Sequence, residues 1–136
     1  MENSSKVVVI GGGPAGMMSA GIAASRGFNV TLIEKNKLLG KKLLITGKGR
    51  CNLTNACESV EELIENVTKN SSFLYSAFYS FTNSDTMEFF EKLGVKLKVE
   101  RGKRVFPISD KSSDIVEALK RFLKKNSSFN HFLFNF

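Results

Sequence analysis

The residues in this sequence whose types and spacing could do chemistry are three glycines, one acid and one arginine-bearing loop. Gly11, Gly13 and Gly16 stand in the pattern G-x-G-x-x-G, and Glu34 follows Gly16 by 18 residues. Each position answers a separate demand of a phosphate-bearing ligand. Gly11 permits a tight turn, Gly13 lets the backbone approach a pyrophosphate with no Cβ in the way, and Gly16 lets a helix pack close to a strand. Pro14 sits near the helix start, where its missing N–H costs nothing, and the N–H groups and positive dipole end there suit phosphate. Glu34 can accept hydrogen bonds from the ribose hydroxyls of an adenosine. The pattern points to a dinucleotide. A carboxylate at Glu34 disfavours the 2′-phosphate of NADP, while the fingerprint alone does not separate NAD from FAD.

A second group follows at residues 47–55, GKGRCNLTN. Its two glycines, one arginine and two asparagines read as a loop able to bring backbone N–H groups and the Arg50 guanidinium onto phosphate or a flavin ring edge. The same composition also fits an ordinary polar loop. Cys51 would serve as a nucleophile only in a setting that favours the thiolate, for which Arg50 is the nearest candidate. His131 is the single histidine, and no residue reads as a general base. Two cysteines, Cys51 and Cys57, do not make a disulfide scaffold, and with one histidine they leave too few ligands for a structural zinc site.

The elements that must position these groups are readable around them. Val7 to Ile10 form a continuous apolar run, as expected of a parallel strand buried on both faces. A small-residue helix follows, kept slim by Ala20, Ala23 and Ala24 and ended at Gly27, and Val30 to Ile33 form a second strand. The stretch 37–46 is a turn and a short apolar piece. Residues 58–69 read as an amphipathic helix with Val60, Leu63, Ile64 and Val67 on one stripe. The aromatic stretch from Ser71 to Phe81 reads as core. Asn83 or Ser84 can cap a further helix ending before Gly94. Val95 to Phe106 read as a β-hairpin closed by Pro107, and Ser112 or Ser113 can cap a helix with Ile115, Leu119, Phe122 and Leu123 inward. The final run, Phe129 to Phe136, suits a third strand of the sheet.

Bulk properties narrow the class. At 136 residues, 42% of them hydrophobic and 24% charged, the chain suits one globular domain, 1–136, with no repeat or linker. No run of 18 apolar residues suggests a membrane span, and the N-terminus lacks a signal-peptide pattern, so a cytoplasmic protein is expected. The triplets such as Asn66-Val67-Thr68 then read as chance sequons. The net charge of +7 raises nucleic acid as a partner. However, Lys35, Lys37, Lys41, Lys42, Lys48 and Arg50 crowd the stretch after Glu34, where a dinucleotide would lie. The cofactor explains them more economically, and neither a nucleic-acid nor a membrane partner is expected.

GKKLLITGKGRCNLTN behind a dinucleotide fingerprint, with ERGKRVFPISDKSSDIVEAL downstream, closely resembles the YhiN-like NAD(P)/FAD-dependent oxidoreductases, the aminoacetone-oxidase-like flavoproteins related to bile-acid-CoA desaturases. The resemblance spans roughly residues 6–125. It implies an α/β, Rossmann-like FAD-binding βαβ unit with added helices, a β-hairpin and an incomplete parallel sheet. It implies FAD held by Gly11, Gly13, Pro14, Ala15, Gly16, Glu34, Lys42, Arg50, Cys51 and Asn52. It also implies a flavin that accepts hydride from a substrate or from NAD(P)H. Members of that family are much longer, so the chain is expected to be their N-terminal portion, from a truncated, frameshifted or split reading frame, with a C-terminal chain as a possible complement. The competing reading is a non-catalytic nucleotide-binding or split-enzyme fragment.

Overall fold

The structure, a computed structural model, describes residues 5–125 and the backbone of residues 129–133. It begins with the expected βαβ unit: β1 (Lys6–Ile10), α1 (Pro14–Ser25) and β2 (Asn29–Glu34). The two strands run parallel in the register Lys6↔Asn29 to Ile10↔Ile33. Gly27, at φ +87°, takes the left-handed turn between helix and strand. Near the end of the chain, α5 (Ser112–Lys124) leads to β6 (Phe129–Leu133), which lies parallel to β2 from Val30↔Phe129 to Glu34↔Leu133. The sheet order is β1-β2-β6, with the expected third strand beside β2. The remainder of that expected strand, Phe134 to Phe136, lies outside the described residues, as do the side chains of β6.

The core sits where the two crossover helices meet the sheet. Met17, Ala20 and Ala24 of α1, Val30 and Leu32 of β2, and Ile115, Ala118, Leu119 and Leu123 of α5 form one buried cluster. Burying each large side chain contributes about 1.5–3 kcal/mol. Gly21 is the point of closest approach, since a Cβ there would lie 2.1 Å from the Phe122 ring. The continuous apolar run of β1 does not become a strand buried on both faces. Val8 and Ile10 remain 59% and 85% exposed, while Val7 and Val9 pack against the core. Among the described residues, β1 pairs only with β2 and nothing covers its Val8/Ile10 face.

A second, antiparallel sheet has the order β3-β5-β4, built from β3 (Thr54–Asn55), β4 (Leu97–Glu100) and β5 (Arg104–Pro107). The hairpin β4–β5 is the one expected, turning through Gly102 (φ +75°) and Lys103 (φ +56°). β3 corrects the reading of 47–55 as loop throughout: Thr54 pairs with Val105 and Asn55 with Arg104.

The remaining helices differ from expectation in instructive ways. The helix expected over 58–69 is only α2 (Val60–Glu65), capped by the Ser59 hydroxyl, which accepts from Glu62 N at 3.1 Å. The aromatic stretch forms a 3-10 turn, Ser71–Leu74, and α3 (Tyr75–Ser80), and it is not core. Phe73, Tyr75, Tyr79 and Phe81 are all exposed, with Tyr75 and Tyr79 stacked on each other. Helix α4 (Asn83–Lys92) is capped by Thr82 in a reciprocal capping box with Asp85. Asn83 is occupied elsewhere, its Nδ2 donating to the Asn55 and Cys57 carbonyls at 2.8 Å each. Likewise Ser112 does not cap α5, because its hydroxyl donates to Leu44 O at 2.9 Å. No helix among the described residues is long and apolar enough to cross a membrane.

Candidate functional site

The turn between β1 and α1 gives each fingerprint glycine its own physical reason. Gly11 has φ +100°, a conformation L side chains rarely adopt, and its N–H donates to Ile33 O at 2.8 Å. At Gly16 an added Cβ would lie 1.9 Å from the Gly11 carbonyl oxygen, so the glycine is what lets α1 close onto β1. Gly13 differs from both. Its backbone (φ −74°, ψ −179°) suits any residue, and nothing lies within 4 Å of the Cβ position. Neither conformation nor packing within the described residues requires glycine there.

Helix α1 starts without a side-chain cap and without an acid in its first turn, with Pro14 as its first residue. The initial N–H groups of a helix have no intrahelical acceptor, so an uncapped start is suited to an anion. Ala15 and Gly16 supply that turn. The exposed lysines 35, 37, 41, 42 and 48 form no ion pair among the described residues, so their charge is available to the surroundings. Lys42 stands at the start of the 3-10 segment Leu43–Gly49.

Glu34 ends β2 and is 8% exposed. Its Oε2 accepts from Gly12 N at 2.6 Å, and its Oε1 accepts from Asn36 N at 2.7 Å and Asn36 Nδ2 at 2.6 Å. These donors, with the Asn36 N–H foremost, hold the carboxyl below the usual carboxylate range against the opposing effect of burial. A carboxylate offers about four acceptor sites, so three donors leave room for a ligand hydroxyl at Oε2. The roles of Gly12 and Asn36 in holding Glu34 were not legible in the fingerprint. The signal for Asn36 was its place two residues beyond the acid, where an Asx side chain folds back on the local chain. Gly12 is held on its other side as well: Gly40 N donates to its carbonyl at 2.8 Å, and a Cβ on it would strike Leu39.

The 47–55 segment meets the helix start across a cavity of about 340 Å³. Pro14 and Ala15 line one side and Cys51, Asn52 and Leu53 another, with Phe89 and Phe90 of α4 and Leu119 of α5 behind them. Four of the expected site residues thus share one cavity with a largely apolar wall. With the Asn52 amide assigned so that its nitrogen meets acceptors, that nitrogen donates to the carbonyls of Thr54 at 3.1 Å and Val105 at 3.3 Å. Cys51 is buried, and burial pushes its thiol up, only partly offset by a hydrogen bond involving Thr46. The thiolate-favouring setting considered from the sequence is therefore not what surrounds it. Arg50 does not supply one, because its guanidinium bonds to Glu100 and Asp110, which hold its own pKa up. Among the described residues no group of three or more His, Cys, Asp or Glu is placed to hold a metal ion.

Comparison with known proteins agrees with this geometry. The chain is 35% identical over 123 residues to a 3-dehydro-bile acid delta(4,6)-reductase of Clostridium scindens, covering 88% of this chain and 29% of that protein. It is 33% identical over 112 residues to the ribosomal RNA dihydrouridine synthase of Escherichia coli, covering 82% of this chain and 27% of the other. The chain thus spans less than a third of the curated relatives it matches. Among solved structures, that of Thermovibrio ammonificans THI4 superposes with a TM-score of 0.59 over 95% of this chain and 38% of that one, at 13% identity, which establishes a shared fold. The domain model described as "HI0933-like protein Rossmann domain" matches residues 5–131. With a glycine turn, a strand-end acid and a parallel βαβ unit in the places that model covers, the chain belongs to the HI0933-like Rossmann-domain family.

Proposed function

We propose that this chain is the FAD-holding portion of a flavoprotein oxidoreductase. The observation that carries the reading is Gly13, a glycine that nothing in the described fold requires, at an uncapped helix start beside a fixed, ionised Glu34. In this reading the first-turn N–H groups of α1, around Ala15 and Gly16, bind the pyrophosphate, and Glu34 Oε2 takes a ribose hydroxyl. Lys42 and its neighbouring lysines add positive potential for the phosphates. Cys51 and Asn52 form the far wall of the cavity that Pro14 and Ala15 open. Family membership supports FAD as the dinucleotide. FAD, when bound, supplies two-electron chemistry, which removes the need for a protein nucleophile. The chain's residues bind and orient.

The finer placement among YhiN-type NAD(P)/FAD-dependent oxidoreductases rests on GKGRCNLTN and ERGKRVFP, with NAD(P)H as the reductant that placement implies. Two relatives are named for different substrates, a bile acid and ribosomal RNA, yet each shares under a third of its length with this chain. That supports a cofactor module here and substrate selection elsewhere. Turnover then draws on parts of such relatives that this sequence does not span, and among the described residues the exposed Val8/Ile10 face and the unpaired edge of β1 offer a surface for further polypeptide to pack on.

The test is the visible spectrum of the purified chain, followed by FAD titration. Flavin bands near one per chain support the proposal, and Gly13→Val should abolish retention. A chain that stays colourless and does not quench FAD fluorescence would refute it. Unchanged retention in Gly13→Val would refute the assigned geometry.

A further inference from the structure

The segment ERGKRVFPISD holds two carboxylates to which the cofactor site gives no work. Both point at Arg50. Arg50 Nε donates to Asp110 Oδ1 at 2.8 Å, with Nη2 2.6 Å from the same oxygen, and Nη2 also bonds to the Glu100 carboxylate. The guanidinium lies over the Phe106 ring, 4.1 Å from its centroid. Lys98 completes the group, with Nζ 2.8 Å from Asp110 Oδ2 and 3.4 Å from Glu100 Oε1. Two cations thus share two carboxylates, with the Arg50 guanidinium also over the Phe106 face, and the side-chain partners given for Arg50 come from β4, β5 and the turn after them.

The backbone that carries Arg50 needs holding. Gly47, Lys48, Gly49 and Cys51 all have positive φ, at 55°, 57°, 84° and 60°. Lys48 and Cys51 are non-glycine residues in the left-handed region, which persists only where the surroundings fix it. Arg50 sits between them. On its far side Leu53 N donates to Val105 O at 2.8 Å, so the segment is tied to the β4–β5 hairpin and the turn after it at residue 50 and to β5 at residue 53.

We propose that Arg50 is a positioning residue. The Glu100–Asp110 pair and Phe106 grip its guanidinium, and through it the turn at 47–51 presents Cys51 and Asn52 to the cavity at the start of α1. The cofactor part of this inference rests on the FAD reading above. The clamp itself does not.

The experiment discriminates by sign. FAD affinity of the full chain is measured by fluorescence quenching for Arg50→Gln, Glu100→Gln, Asp110→Asn, Asp110→Glu and the Arg50→Gln/Asp110→Asn pair. The clamp predicts that Asp110→Asn and Glu100→Gln weaken FAD binding in the same direction as Arg50→Gln, by about tenfold. It predicts that the pair is no worse than Arg50→Gln alone, and that Asp110→Glu recovers most of the loss. At saturating FAD, the bound-flavin spectrum should change alike in Arg50→Gln and Asp110→Asn. If Arg50 served the phosphates directly, freeing it from its carboxylates would tighten FAD binding, and that result would overturn the proposal. A wild-type flavin spectrum in variants that merely melt earlier would overturn it too. A readout without FAD keeps the two readings separable. In a Cys57→Ser background, Arg50→Gln and Asp110→Asn should expose the Cys51 thiol, speeding its reaction with a disulfide reagent at least about tenfold. An unchanged thiol rate refutes the clamp whether or not the chain binds FAD. A raised rate in a chain that binds no FAD refutes only the cofactor reading.

Discussion

Gly13 and Gly16 stand three residues apart in one motif, yet the structure assigns them opposite consequences. Placing alanine at Gly16 puts a Cβ 1.9 Å from the Gly11 carbonyl, whereas real Cβ contacts stay beyond 3.0 Å. Gly11 has little room to yield, because its N–H is bonded to Ile33 O and its φ of +100° is already special. Helix α1 must therefore retreat by about 1 Å, and overpacking of this kind costs about 1–3 kcal/mol. For a chain of this length, each kcal/mol lowers Tm by about 4 °C. Alanine at Gly13 meets nothing within 4 Å and needs no backbone change. Losing glycine at an N-cap costs up to about 1 kcal/mol, and the stiffer unfolded chain returns about 0.4–1 kcal/mol, so cofactor-free stability stays within about 0.5 kcal/mol of wild type. FAD affinity should nonetheless fall at least tenfold, about 1.4 kcal/mol, because the new methyl occupies the approach to the phosphates. Thermal melts of the cofactor-free proteins and FAD titrations read the two effects separately. The reasoning is refuted if Gly13→Ala loses as much Tm as Gly16→Ala, or if it binds FAD as tightly as wild type.

Three further outcomes follow from the same geometry. Glu34→Gln turns an amide nitrogen toward backbone and side-chain donors, costing about 1–3 kcal/mol in urea unfolding at neutral pH. Glu34 has a lowered folded pKa, so its contribution is complete above the usual carboxylate range and is lost as pH falls through the folded value. The gap between wild type and Glu34→Gln should close in acid, and a constant gap would contradict the assignment. Cys51, buried with its thiol pushed up, should resist alkylation in the folded chain and react on unfolding; rapid modification under native conditions would show the cavity wall to be open. Ile10→Lys, at a position 85% exposed, should change Tm negligibly while reducing concentration-dependent light scattering. A large Tm loss would mean that the Val8/Ile10 face is already covered.

Much of the positioning was legible because it is local. The turn, the slim helix and the acid all lie within one βαβ unit, where strand and helix periods and glycine spacing act over a few residues. The β4–β5 hairpin and the third strand at Phe129 were readable for the same reason. What the sequence did not disclose depends on partners distant in the chain. The short strand at Thr54–Asn55 exists because Val105 and Arg104 are there to pair with it. Asn83 carries a cap residue's chemistry but spends it on the carbonyls of Asn55 and Cys57, leaving the cap to Thr82. The aromatics at 71–81 have core composition, yet Phe73 and Tyr79 remain 84% and 55% exposed among the described residues. Arg50 is the sharpest case. A guanidinium in a glycine loop reads as an anion ligand until Glu100 and Asp110 are found 50 and 60 residues away.

The bond from Gly12 to Glu34 has a consequence for the entropy of binding. Glycine-rich loops ordinarily lose much freedom when a ligand fixes them, and that loss is subtracted from affinity. Here Gly11 is tied to Ile33, Gly12 to both Glu34 and Gly40, and Glu34 to Asn36, so the turn is ordered as part of folding itself. In the proposed reading, the ribose acceptor and the phosphate turn are then one rigid unit rather than two halves brought together by the ligand. Whatever dinucleotide arrives meets a surface whose ordering cost was met when β1 first paired with β2.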